Sequence, residues 1–226
     1  MLLVFHEGLA GLAGFRRLGQ MGWAFSACGG LAGLTTIMAL RETSVTHVSV
    51  IFATAPFCAS ALGWLFLQER PRRPAVIAST VALIGAVTMV GLGGEGTLYG
   101  DALAVVSVIA YSGLIVISKS NPGIPSLPAS VLSVLFTTVV AAPFIPEFSI
   151  PYADLPMLAV FGIVNSALAI WLFMIGARYL PAIETALITA LETPLAPFWV
   201  WLAFVPGLLT VVGGAIVVGA VVWYIV

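Results

Sequence analysis

Eight apolar runs of roughly 17–22 residues, each bounded by charge, proline or glycine, leave this chain few folds to choose from. They fall at about Gly22–Leu40, His47–Leu67, Val76–Leu92, Asp101–Ser118, Pro128–Ile145, Leu158–Ala177, Ile183–Phe204 and Leu208–Val226. A helix needs about 20 residues to cross the hydrocarbon core of a bilayer, whereas a membrane strand needs about ten of alternating polarity. These runs do not alternate, so helices are predicted. Composition leaves no soluble alternative. Only 8% of the residues are charged and mean hydropathy is +1.16, where a soluble surface carries roughly 25% charge. The expected fold class is an all-α integral membrane protein, a polytopic helix bundle whose first partner is the lipid bilayer.

The few charges exclude other classes. Eight basic against nine acidic residues give a net charge of −1, with no basic stripe for nucleic acid and no acidic tail. Cys28 and Cys58 both lie inside apolar runs, and the chain has two histidines in all. Neither a disulfide framework nor a Cys/His metal site can be assembled from them. No metal ligands and no cofactor are expected. There is no Gly-rich phosphate loop, no HExxH and no nucleophile elbow, so neither catalytic residues nor an enzyme is expected. The apolar start "MLLVF" runs straight into His6 and Glu7, too short for a cleavable signal peptide.

Basic residues orient the spans. Alternating from Arg16 and Arg17 on the cytoplasmic side places Arg70, Arg72, Arg73, Lys119, Arg178 and the C-terminus on that same side, with only Arg41 opposite. By the positive-inside rule this predicts a multi-pass protein with its C-terminus cytoplasmic, and the membrane expected is a bacterial inner membrane. The chain also repeats itself. Residues 39–66, "ALRETSVTHVSVIFATAPFCASALGWLF", overlay residues 177–204, "ARYLPAIETALITALETPLAPFWVWLAF", at an offset of 138, aligning Ala39 with Ala177, Pro56 with Pro194 and Phe66 with Phe204. The two copies run in opposite directions across the membrane, which is the inverted-repeat design of secondary transporters.

With "MALRETSV" (38–45), "ATAPFCASALGWLFLQERPRR" (53–73), "ALETPLAPFWVWLAF" (190–204) and "GGAIVVGAV" (213–221), the chain resembles the EamA-type members of the drug/metabolite transporter superfamily. The resemblance implies inverted five-helix repeats, ten helices in the family against about eight full ones here. Residues 1–92 would form an N-terminally incomplete first repeat and 101–226 the second. Residues 1–15 match only the end of a second helix, so the first helix and most of the second are expected to be lacking. The second repeat also passes from Phe204 into "VPG" without the acid that "FLQERP" carries in the first.

Glu192 is the residue that most needs a reason. It stands in the middle of "ALITALETPLAPFWVWLAF" (186–204), which contains no cation. A charge at mid-helix costs roughly 2.5–3.5 kcal/mol and usually faces an interior cavity. Thr185, Thr189, Glu192 and Trp199 follow at offsets of four, three and seven, one stripe of a helix. Two readings stand: Glu192 binds an amine or exchanges a proton, or it is a neutral acid hydrogen-bonded between helices. The repeat partner presents His47, Thr54, Cys58 and Ala61 on one stripe, with Thr54 equivalent to Glu192 and His47 to Thr185. His47 is either a solvated interfacial residue or part of the path. Pro56, Pro194 and Pro197 break helices mid-span, either beside a binding site or as plain kinks. Tyr111 and Asn165 are cavity-lining candidates. Ser26, Gly30 and Gly33 form a packing seam, and Gly213, Gly214 and Gly219 another. Glu184 and Arg178 are expected to be solvated end charges.

The function expected is a secondary transporter, an exporter by resemblance, moving a small polar or amphipathic metabolite by alternating access. The substrate-binding residues would be Glu192, Thr54, Thr189, Thr185, Tyr111, Asn165, Trp199 and His47, and protons are a candidate coupling ion. The alternative is a non-transporting membrane scaffold or a degenerate truncated paralogue. Oligomeric state is left open.

Overall fold

The described part of each apolar run is helical because no other backbone conformation satisfies its own N–H and C=O groups in lipid. The structure, a computed structural model, describes residues 15, 18–90, 96–144, 151–161, 168–189 and 208–225. Among them there is no strand. The helices are α1 (Gly19–Glu42), α2 (Val45–Phe52), α3 (Ala55–Leu67), α4 (Arg73–Val90), α5 (Leu98–Ser120), α6 (Ser126–Ala141), α7 (Leu155–Phe161), α8 (Ala169–Gly176), α9 (Ala182–Thr189) and α10 (Leu208–Ile225). Two starts carry a side-chain cap. The Ser44 hydroxyl accepts from the His47 N–H at 3.2 Å ahead of α2, and the Thr97 hydroxyl from the Gly100 N–H at 3.1 Å ahead of α5.

Of the eight expected spans, three reach full membrane length: Gly19–Glu42, His47–Leu67 and Leu98–Ser120. Arg73–Thr88, Pro128–Ala141 and Val211–Ile225 are shorter apolar helices. The sixth and seventh expected spans pass through residues outside the description.

Side-chain size is distributed inside out. Trp64, Phe66, Ile77, Ile84, Ile109 and Val139 face outward, Phe66 at 69% exposure, while Ala39, Ala59, Ala75, Ala78, Ala104, Ser79 and Ser107 are buried. In water this would be unfavourable by about 25 cal/mol for each Å² of exposed apolar surface. In lipid no such term separates outside from inside, and small residues win the interior because they let helix axes approach.

One part of the bundle is stitched by hydroxyls. The Ser26 hydroxyl of α1 donates to the Ala129 carbonyl of α6 at 3.0 Å, and Thr137 of α6 returns a bond to the Gly30 carbonyl at 3.0 Å. Ser107 of α5 reaches the Ala32 carbonyl at 2.8 Å and lies 2.6 Å from the Thr36 hydroxyl. Gly29, Gly30 and Gly33 present bare backbone to Ser133, Phe136 and Thr137, so the expected Ser26–Gly30–Gly33 seam is a packing seam. A second seam joins α4 to α10 through Ala78, Ala82, Ala86, Val217, Ala220 and Val221. Gly85 lies against the Gly213 carbonyl there. Gly219 does not belong to it, contrary to expectation. It is exposed with nothing within 4 Å of where a Cβ would sit, because the 3.6-residue period turns it away from α4.

Candidate functional site

The run His47–Leu67 is not one continuous helix. It turns at Ala53 and Thr54, between α2 and α3. Pro56 occupies the second position of α3 and has no N–H to give the Phe52 carbonyl, so the ladder cannot run through. The Thr54 N–H drops back to the Ile51 carbonyl at 3.0 Å, and the Phe57 N–H goes to the Thr54 carbonyl at 3.0 Å. The Thr54 hydroxyl also donates to the Ile51 carbonyl, at 2.6 Å.

This break lies beside α9. Ala53 shares a core cluster with Leu187 of α9 and the alanines of α4. On its other flank α9 sets Ala182 and Ala186 against Ala59, Ile115 and Val116, with Tyr111 and Phe173 packed over them. The Tyr111 and Phe173 rings are 5.8 Å apart and tilted by 31°. Thr185 is buried and Thr189 half-buried, and their hydroxyls donate to the Pro181 carbonyl at 3.2 Å and the Thr185 carbonyl at 2.8 Å. Thr54, Thr185, Thr189 and Tyr111 therefore lie on helices gathered around α9. The three threonines have given their O–H groups to their own helices, and what they retain for a ligand is acceptor lone pairs. Glu192, Asn165 and Trp199, with Pro194 and Pro197, lie outside the described residues.

His47 belongs elsewhere, at the end where α1 stops and α5 starts. Its Nδ1 is 2.9 Å from one Asp101 carboxylate oxygen and 3.0 Å from the other, and the Thr43 hydroxyl donates to the same carboxylate at 2.8 Å. The Thr97 hydroxyl donates to the Glu42 carbonyl at 2.6 Å alongside. Gly96 and Gly100 leave room for this: a Cβ at Gly100 would lie 2.7 Å from the Thr43 backbone nitrogen. With 30% and 28% of their side chains exposed, His47 and Asp101 form a half-buried tie between α2 and α5.

At the opposite end Lys119, closing α5, pairs with Glu69 just past α3. The chain reaches that pairing through Gln68, whose φ of 55° and ψ of 25° are left-handed. This conformation, which costs a residue with a Cβ about 1 kcal/mol, folds the Glu69 N–H back to the Gly63 carbonyl at 3.3 Å. Gln68→Gly is expected to raise stability by about 0.5–1 kcal/mol, read as a higher midpoint in a detergent melt. Arg178 is not a free end charge, since its Nη2 donates to the Ile124 carbonyl at 2.7 Å. Glu184 is not solvated either. It is 7% exposed, in the first turn of α9, and Tyr224 of α10 lies near enough to feel its carboxylate.

Sequence spacing could not reveal these pairs, whose members stand 54, 50 and 40 positions apart (101 − 47, 119 − 69, 224 − 184). Among the described residues no three His, Cys, Asp or Glu side chains group as metal ligands would.

An all-α bundle with small residues inside, large apolar residues outside and a broken span beside its polar helix is a multi-pass membrane protein. Residues 9–91 match the EamA-like transporter family, in line with the resemblance seen in the sequence. A solved crystal structure superposes with a TM-score of 0.78 at 18% identity, over 90% of this chain and 77% of that one, and carries the same fold. No curated protein matches. Over that stretch the chain is similar to a family of membrane transporters.

Proposed function

We propose that the chain is a secondary transporter that exports a small polar or amphipathic metabolite by alternating access, from two inverted repeats at 1–92 and 101–226. The observation that carries this reading is the helix broken at Thr54–Pro56 beside α9. Interrupted spans in inverted-repeat transporters sit where substrate binds. Thr54, Thr185 and Thr189 offer acceptors, so the favoured substrate carries donors, an amine or several hydroxyls, with Glu192 as the anionic contact and Tyr111 as an apolar wall. Asn165 and Trp199 complete the path. The ties at the two ends, His47 with Asp101 and Lys119 with Glu69, open in turn. The end carrying Lys119, Arg72 and Arg178 is cytoplasmic by its charge, which puts the C-terminus in the cytoplasm of a bacterial cell. Protons are the coupling ion this reading favours.

The test is counterflow. Proteoliposomes preloaded with single amines, amino acids, nucleosides or sugars are assayed for uptake of the same labelled compound, with wild type and Glu192→Gln. A saturable signal for a donor-rich compound is expected, falling at least tenfold in the variant while its detergent melt is unchanged. No signal across the panel, or a melt lowered by several degrees in Glu192→Gln with transport intact, would move the protein to the scaffold class. A bound substrate should also raise the wild-type melt, by about 2.7 kcal/mol at a hundred times its dissociation constant.

A further inference from the structure

Glu184 carries a chemical demand that nothing described so far meets. The side chain is 7% exposed, between Ile183 and Thr185, and its Oε1 is buried without a hydrogen-bond partner. Among the described residues no lysine, arginine or histidine is within ion-pair distance of it. The basic residues of this end are engaged elsewhere: Lys119 pairs with Glu69, and the Arg178 guanidinium is held at the Ile124 carbonyl. Arg72, just ahead of α4, makes no ion pair with Glu184.

The surroundings are built for a small guest. α9 packs against α3, α4 and α5. From α10, Tyr224 packs against the cluster that Leu187, three residues on from Glu184, shares with α4, near enough for its hydroxyl to feel the carboxylate; a hydroxyl keeps a lone pair after donating. On α4 the buried stripe Ala75, Ala78, Ala82 and Ala86 is interrupted by one polar residue, Ser79. It is fully buried and its hydroxyl is without a partner. Among the described residues α3 carries no charge between Ala55 and Leu67, and the basic and acidic groups of α5 sit at its two ends. Two orphaned polar atoms, the Glu184 carboxylate oxygen and the Ser79 hydroxyl, therefore belong to adjoining helices at the basic end, with the Tyr224 hydroxyl beside the first. A buried carboxylate is tolerated when a positive group and hydrogen bonds complete it.

We propose that Glu184, with Ser79 and Tyr224, forms a binding point for a compact positive group, a primary ammonium or a monovalent metal ion, at the basic end of the bundle. The inference deepens the transport reading and rests on it for its purpose: it gives a cationic substrate, or a coupling ion, a contact separate from Glu192. Its ligand is small. Buried alanines line the helix that faces it, and a quaternary ammonium has no N–H with which to fill three acceptors.

The experiment is a detergent melt of the full chain at fixed ionic strength, titrated with methylammonium, sodium or potassium chloride against choline chloride. Wild type is expected to gain several degrees saturably with methylammonium or with one metal ion, and nothing with choline. The gain should vanish in Glu184→Gln and persist in Glu69→Gln. Methylammonium alone points to a substrate amine, and sodium or potassium to a coupling ion. Should Glu184→Gln fail to fold, Tyr224→Phe keeps the ring and is expected to weaken the apparent affinity at least fivefold. Arg72→Gln is expected to strengthen it. An equal shift in Glu184→Gln, no cation-specific shift in wild type, or binding weakened by Arg72→Gln overturns the proposal. Cation binding without counterflow would leave this site standing and remove the transport reading alone.

Discussion

Gly85→Val is expected to cost about 3 kcal/mol, at the upper end of what overpacking does to a close-packed interior, and to leave little monodisperse protein in detergent. A Cβ at Gly85 would lie 2.9 Å from the Gly213 carbonyl oxygen and equally close to methyls of Ile216 and Val217. A methyl can swing aside, but a backbone oxygen held in a helix cannot. The measurement is a thermal melt set beside Gly219→Val. That position is exposed on α10 with nothing within 4 Å, so only helix propensity changes, by a few tenths of a kcal/mol in either direction. Equal melts for the two variants would mean that α4 and α10 do not approach this closely.

Pro56→Ala should separate stability from function. It restores an N–H that can complete the ladder to the Phe52 carbonyl, letting α2 and α3 run on as one helix, and proline relief in helix interiors is worth up to about 3 kcal/mol. Because Pro56 already sits at a tolerated first-turn position, a gain of about 1 kcal/mol is expected. Counterflow should fall at least tenfold, since a straightened helix no longer turns Thr54 and the backbone around it beside α9. If transport survives in a stabilised variant, the break is a kink that shapes the bundle and nothing more.

Helical type and the break were legible because each is written in local sequence. An apolar run of sufficient length has one solution in lipid, and a proline removes its hydrogen bond wherever it falls. The seam at Ser26, Gly30 and Gly33 was legible for the same reason, since small residues at helical spacing leave a groove. What could not be read was which charges meet. Nothing local to Asp101 shows that the end of α1 delivers Thr43 and the start of α2 delivers His47 to it. Glu184 reads as a solvated end charge, yet it is buried in the first turn of α9. Both were hidden for one reason. Helix ends sit near water in a topology diagram, and only tertiary packing decides whether another helix end covers them.

The two seams of the bundle would respond differently to a sideways push. α1, α5 and α6 are pinned by directional bonds such as Ser26 to Ala129 and Ser107 to Ala32, which break if the helices shift by an ångström or two. Between α4 and α10, among the described residues, no hydrogen bond crosses; alanine, glycine and valine simply touch. Such a surface behaves as a bearing. Its helices can slide until the Gly85 contact is lost, exchanging one set of methyl contacts for another of similar strength, so rigidity in this molecule is anisotropic. It is stiff around α1 and compliant along the line where the last helix lies against α4.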